Sequence, residues 1–337
     1  MAFALLFFIS SQLWASADSV GDDSDSISDE QETEYLDLNG NLQSGQWLIP
    51  HVTYRGLNFW EYSSGPANDS SLQQMQAEAG FTAQIDKEGK YLAAVAWEQD
   101  ATTEYYLRLE ADKTWALYAG LMKKVFGIRN IDHTSYQSTY QGFNLENDTS
   151  DGSVFSEGFI LQKTEDKWEA SLNYFFGNPY EASSLKQKGL SVSGEFEIAE
   201  KKRLGASIMT EKSDVLEKNL LAVFYRQDLS KGSTVMLEGG LVKDKTADDG
   251  EVTVGSYEML QTLVELTRGY SVEASLEHYN TEFDSTSPDN WKWRVGVIAS
   301  PRPNLVLKFD VVNERQISSL TTQEDDWQVQ GQVTVAL

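Results

Sequence analysis

The chain contains no cysteine, which excludes disulfides, thiolate zinc sites and cysteine-attached haem. Basic residues are scarce: 27 Lys and Arg stand against 52 Asp and Glu, and a net charge of -25 leaves nothing to neutralise a row of nucleic-acid phosphates. The three histidines, His51, His133 and His278, show no paired spacing of a metal site. No local Ser-His-Asp signature and no phosphate-cradling glycine loop occurs, so neither an enzyme nor a bound cofactor is expected. No later stretch approaches about 18 uninterrupted apolar residues, which argues against a helical membrane protein. Prolines number only six in 337 residues, and helix-period patterning is poor.

What is present begins with "MAFALLFFISSQLWASADS", a short apolar run followed by Ala-Ser-Ala. This pattern predicts a secretory signal over residues 1–17, lacking only the usual Lys or Arg at its start. Residues 18 to 34, "DSVGDDSDSISDEQETE", carry many acids and no base. Such composition predicts a flexible, solvated segment over 18–44, and its acid spacing matches no calcium loop.

From about residue 45 one unit repeats: about ten alternating residues, a tight turn, about ten more, then a longer polar loop. Short turns fall at "DKEGK", "EADKT", "KTEDK", "IAEKKR", "QDLSKG", "TRGY" and "SPRPN". The spacing predicts strands over 45–62, 74–86, 90–99, 103–111, 114–127, 153–164, 167–177, 189–199, 203–212, 218–228, 233–243, 256–267, 270–280, 290–300, 304–314 and 326–337. Sixteen is an even number, so both termini fall on the short-turn side. The strands are two-faced: Leu305, Leu307, Phe309 and Val311 oppose Lys308 and Asp310, and the closing "DWQVQGQVTVAL" alternates Trp327, Val329, Val333 and Val335 with Gln328, Gln330, Gln332 and Thr334. With no helical pattern to cover the apolar faces, they are expected to meet lipid, and the polar faces a lumen. Trp115, Trp168, Tyr270, Trp291, Trp293 and Trp327 fall near strand ends, as interface girdles require.

In this alternation of short turns and long loops the chain resembles the sixteen-stranded Gram-negative outer-membrane porins over residues 45–337. The likeness rests on topology, including a longest connection, 128–152, that follows the fifth strand, where porins place the loop that folds inward as a constriction. The resemblance implies an all-β, transmembrane, antiparallel up-and-down barrel with short periplasmic turns and long external loops. It further implies an integral outer-membrane location amid lipid and lipopolysaccharide, a periplasmic 18–44 segment, a homotrimer and passive diffusion of small hydrophilic solutes. The family often ends in an aromatic residue, whereas this chain ends in Leu337.

The expected lumen carries an acidic wall of Glu169, Glu195, Glu197, Glu238, Glu265, Glu273 and Glu277. A basic wall of Arg55, Arg108, Lys292, Arg294 and Lys308 is expected opposite, because closure pairs the last strands with the first. This resembles the transverse charge separation of general porins. In the long loop Asp132, Glu146, Asp148 and Asp151 are candidate constriction acids, and Tyr136 and Tyr140 candidate narrowing residues. Carboxylate rings favour cations, so weak cation selectivity is expected. The alternatives are a substrate-specific porin for a sugar or an anion such as phosphate, and a plugged barrel acting in surface binding or as a sheath.

Overall fold

The computed structural model describes residues 48–63, 68–86, 89–98, 101–128, 155–229, 233–280, 282–283, 289–302, 304–317 and 324–336. The expected signal, the acidic 18–44 segment and residues 129–154 lie outside them. Sixteen strands run in order: β1 Leu48–Ser63, β2 Asn68–Gln84, β3 Tyr91–Glu98, β4 Ala101–Glu110, β5 Trp115–Lys123, β6 Phe155–Glu165, β7 Trp168–Phe175 and β8 Lys188–Ala199. They continue as β9 Lys202–Lys212, β10 Leu216–Asp228, β11 Thr234–Thr246, β12 Val252–Thr267, β13 Tyr270–Asn280, β14 Asp289–Arg302, β15 Leu305–Ile317 and β16 Glu324–Ala336. Each strand pairs antiparallel with its chain neighbour, and β1 closes the barrel on β16 through pairs such as Arg55 with Thr334 and Trp60 with Val329. Closure leaves no sheet edge unpaired, the condition for spanning a bilayer with strands.

Short connections make up one rim, while the other carries the longer ones together with the tight β3–β4 and β9–β10 links, and several of these segments satisfy their own backbone. Between β4 and β5 the Asp112 carboxylate accepts from the Thr114 N–H at 2.7 Å, the Trp115 N–H at 2.9 Å and the Thr114 hydroxyl at 2.8 Å. These bonds, led by the Thr114 N–H, hold the Asp112 carboxyl below its usual range. At the opposite rim Asp249, in the β11–β12 loop, is lowered in the same way, first by the Thr246 hydroxyl and then by the Glu251 N–H.

The outer face is apolar. Leu117, Leu161 and Leu172 form one row across β5, β6 and β7, and Val295, Val297, Leu307 and Phe309 form a patch on β14 and β15, all exposed. A contiguous apolar belt of this extent has no partner in water and a natural one in acyl chains. Aromatic rings edge it on both sides, with Tyr91, Trp115, Trp168 and Tyr270 towards the turns and Trp97, Trp291, Trp293 and Trp327 towards the loops. Trp293 and Trp327 meet edge to face at 5.2 Å.

Three expected boundaries shift by four residues or more, the twelfth strand beginning at Val252 rather than at 256. The second strand begins at Asn68, six residues early, with a register shift between Arg55 and Gly56 where the partner skips from Gln76 to Gln74. The fifth strand ends at Lys123, and residues 124–127, expected to continue it, leave the sheet.

Candidate functional site: the barrel lumen

Alternate residues of each strand face inwards. On β9 these are Ser207, Met209 and Glu211, on β12 Tyr257, Met259 and Gln261, and on β13 Glu273, Ser275 and Glu277, all buried. The inner wall is not uniformly polar. Phe175, Met209, Leu220, Ala222, Val242, Tyr257 and Tyr279 converge into one apolar cluster around Phe126, which is fully buried. This explains why β10 reads "LLAVFY" over 220–225, apolar on both faces: Leu221 and Val223 meet the outside, while Leu220 and Ala222 belong to the same buried cluster as Phe126.

Phe126 arrives there because the chain turns inwards after β5. The Lys124 ammonium, 1% exposed, donates to Glu211 Oε2 on β9 and to Gln187 Oε1, each at 2.8 Å, and lies 5.1 Å from the Phe175 ring. The Val125 N–H donates to Asn173 Oδ1 on β7 at 3.2 Å, and the Gly127 N–H to Ser207 Oγ on β9 at 3.0 Å. The Ile128 N–H then donates to Glu238 Oε2 on β11 at 2.6 Å, while the Tyr257 hydroxyl donates to Glu238 Oε1 at 2.7 Å. Four of the five residues 124–128 thus hydrogen-bond to β7, β9 or β11, and the fifth, Phe126, is buried in the apolar cluster. Gly127 is required there: its φ is 64°, and a Cβ would stand 2.4 Å from Glu238 Oε1.

A second cluster lies at the seam of β13, β14 and β15. The Arg294 guanidinium, 1% exposed, donates from Nη2 to Glu273 Oε1 at 2.7 Å. Lys308 pairs with Glu273 Oε2 at 2.9 Å and with Asp310 at 3.6 Å, and Gln261 donates to Glu273 from β12. Lys292 stands opposite Glu277 and 3.8 Å from Glu314. Among the described residues, Nε and Nη1 of Arg294 have no hydrogen-bond partner. Gly296 leaves the room that Asp310 fills, since a Cβ there would overlap Asp310 Oδ1.

At this seam two of the expected acidic-wall residues, Glu273 and Glu277, lie beside the expected bases. Lys292 and Arg294 on β14 adjoin the β13 strand that carries Glu273 and Glu277, and Lys308 on β15 reaches Glu273 across β14, so these two acids meet the bases as neighbours, because consecutive strands of a meander lie side by side. On the opposite arc Glu195 receives Arg203 at 2.5 Å and Arg226 at 3.1 Å, with Glu197 opposite Arg203 and Glu169 opposite Glu195. Arg108 contacts Glu110 on its own strand and lies over the Tyr118 ring. Arg55 belongs to β1, opposite Thr334, and its side chain lies outside the described set. Glu265 stands at a register shift just before the β12–β13 turn. Asp132, Tyr136, Tyr140, Glu146, Asp148 and Asp151 lie outside the described residues. Lys124, Phe126, Asn173 and Glu211 were absent from the expected site. For Lys124 and Phe126 the one sequence signal is "KKVFGI" over 123–128, where an aromatic and a glycine follow the last alternating residues.

The sequence matches no protein-family model and no curated protein. Solved structures do match. OmpT of Vibrio cholerae, an outer-membrane protein, superposes with a TM-score of 0.67 at 8% identity, covering 85% of this chain and 97% of that one. The anion-selective porin of Comamonas acidovorans gives 0.65 at 10% identity, covering 86% and 99%. Salmonella typhi OmpF, solved in complex with daunomycin, gives 0.65 at 12% identity, covering 88% and 99%. The closed meander, lipid-type exterior and charged interior define a transmembrane β-barrel. More particularly, its sixteen strands, short-turn rim and long connection after β5 are the fold of the outer-membrane porins.

Proposed function

We propose that the chain is an integral outer-membrane porin through which small hydrophilic solutes and ions diffuse passively, assembled as a homotrimer and weakly selective for cations. The observation that carries this reading is the inward turn of residues 124–128, anchored to β7, β9 and β11 inside a closed barrel. Barrels of sixteen strands leave room for an aqueous channel, and a segment held along the inner wall is the element that would narrow it. The sign of selectivity is supported by the inner wall, where carboxylates outnumber bases among the described residues: Glu169, Glu195 and Glu197, for example, stand with Arg203 and Arg226. Fixed carboxylates raise the local cation concentration and lower the barrier for cations relative to anions. Passive diffusion requires no reacting group, so the channel is read as non-enzymatic.

Refolded protein in a planar bilayer tests this directly. Stable open steps with a reversal potential towards the potassium equilibrium value under a potassium chloride gradient are expected. Anion preference overturns the charge assignment while keeping the channel. A narrow barrel acting in surface binding is the second reading, favoured by core-like burial of Arg294, Glu273 and Glu277 on the inner wall. Absence of conductance from a heat-modifiable, β-rich protein selects it.

A further inference from the structure

On the outer face at the turn rim, Lys163 of β6 lies between two indoles. Its ammonium is 5.1 Å from the Trp115 ring on β5 and 5.3 Å from the Trp168 ring on β7. Register explains the sandwich: Lys163 is directly opposite Trp115, and Trp168 is opposite Glu165, the next outward residue of β6. Glu165 Oε1 lies 3.1 Å from the same ammonium. Two residues into the belt, Leu117, Leu161 and Leu172 form the exposed leucine row. Towards the rim the turns add Asp112, Lys113, Asp166 and Lys167, so bases and acids balance around Lys163.

We propose that this surface holds one zwitterionic phospholipid with a primary-amine headgroup, of the phosphatidylethanolamine class. The layering follows a lipid from tail to head. Acyl chains lie on Leu117, Leu161 and Leu172, the phosphate accepts from Lys163 between the two indoles, and the ammonium reaches Glu165 and Asp112 at the rim. Asp112 is held ionised by its turn, so it presents charge to that ammonium. The choice of headgroup rests on this balance: three bases and three acids leave no net positive charge for a net anionic lipid to neutralise, whereas a zwitterion matches both signs. A choline headgroup carries no N–H to donate to those carboxylates. Trp115 and Trp168 hold the lysine stem at headgroup depth, where amphipathic rings are stable.

The inference rests on the membrane placement of the barrel and is independent of its conductance. The test is native mass spectrometry of the full-length refolded protein released from micelles containing equal phosphatidylethanolamine and phosphatidylglycerol. Wild type is expected to retain phosphatidylethanolamine preferentially. Lys163→Gln should lower that retention about fivefold, the change that roughly 1 kcal/mol per membrane-facing base corresponds to. Glu165→Gln should narrow the preference over phosphatidylglycerol. Equal or greater retention of phosphatidylglycerol by wild type, or unchanged retention by Lys163→Gln, overturns the site. Protein that inserts into bilayers yet shows no headgroup preference overturns this inference alone, whereas failure to insert overturns the membrane reading with it.

Discussion

Two charge clusters on the inner wall are built from the same residue types and do different things. Around Lys124, one ammonium meets one carboxylate, both 1% exposed, with Gln187 and an aromatic face completing the shell. Around Arg294, two bases share Glu273, Asp310 leans on Lys308, and two guanidinium nitrogens, Nε and Nη1, have no hydrogen-bond partner among the described residues. The first cluster ties a chain segment to the wall, because backbone N–H groups on either side of Phe126 are anchored with it. The second ties strands that the sheet already joins, so its charges remain a property of the lumen surface. A buried pair acts on conformation when it bridges elements the backbone leaves separate, and on the field when it does not.

The largest effect should come from the first cluster. Lys124→Ala strands the Glu211 carboxylate, at a cost of about 3–5 kcal/mol, and Phe126→Ala empties the centre of the apolar cluster at about the same cost. Both are expected to raise single-channel conductance and lower the urea midpoint of the refolded barrel. A Lys124→Ala, Glu211→Ala double variant should recover part of the stability but not the original conductance, and additive losses would deny the pair its bridging role. Gly127→Ala comes next. The positive φ and the approach to Glu238 should cost roughly 1–3 kcal/mol, read as extra gating noise in single-channel records.

Variants of the second cluster should separate field from fold. Arg294→Gln or Lys308→Gln removes one lumen base and should move the reversal potential further towards cations, by on the order of 1 kcal/mol in relative barrier. Conductance near the wild-type value is expected in both, and a change as large as that of Phe126→Ala would place Arg294 among the anchors. The smallest effect belongs to the rim. Because the folded Asp112 carboxyl titrates below its unfolded value, its contribution is present above about pH 4 and is lost as acidification carries the pH through the folded value. Asp112→Asn should therefore flatten the acid limb of a stability profile without altering it near neutrality. A steeper acid limb in the variant would contradict the turn's hydrogen bonding.

Much of the wall was readable from residues alone. Leu305, Leu307 and Phe309 against Lys308 and Asp310 specify a strand, its faces and its register, because a one-residue slip would carry a lysine into lipid. The turns were readable through Asp112 and its kind. The inward departure after Lys123 was not, since Lys124 and Val125 continue an alternating pattern and only a carboxylate on β9 makes the bend favourable. Glu238 shows the same limit: its inward face was legible, but its bonds to Ile128 and Tyr257 join residues far apart in the chain.

The sequence by itself determined the strand number, the direction of each strand and which side of the wall each residue faces, because those depend on a period of two and on turns that close locally. Tertiary structure decided which charges meet. Whether Arg294 opposes an acid or adjoins one depends on where neighbouring strands stand around a closed ring, and whether Lys124 serves the wall or a chain crossing it depends on Glu211, 87 residues away. Electrostatic and packing partners are chosen by distance in space, which local periodicity does not encode.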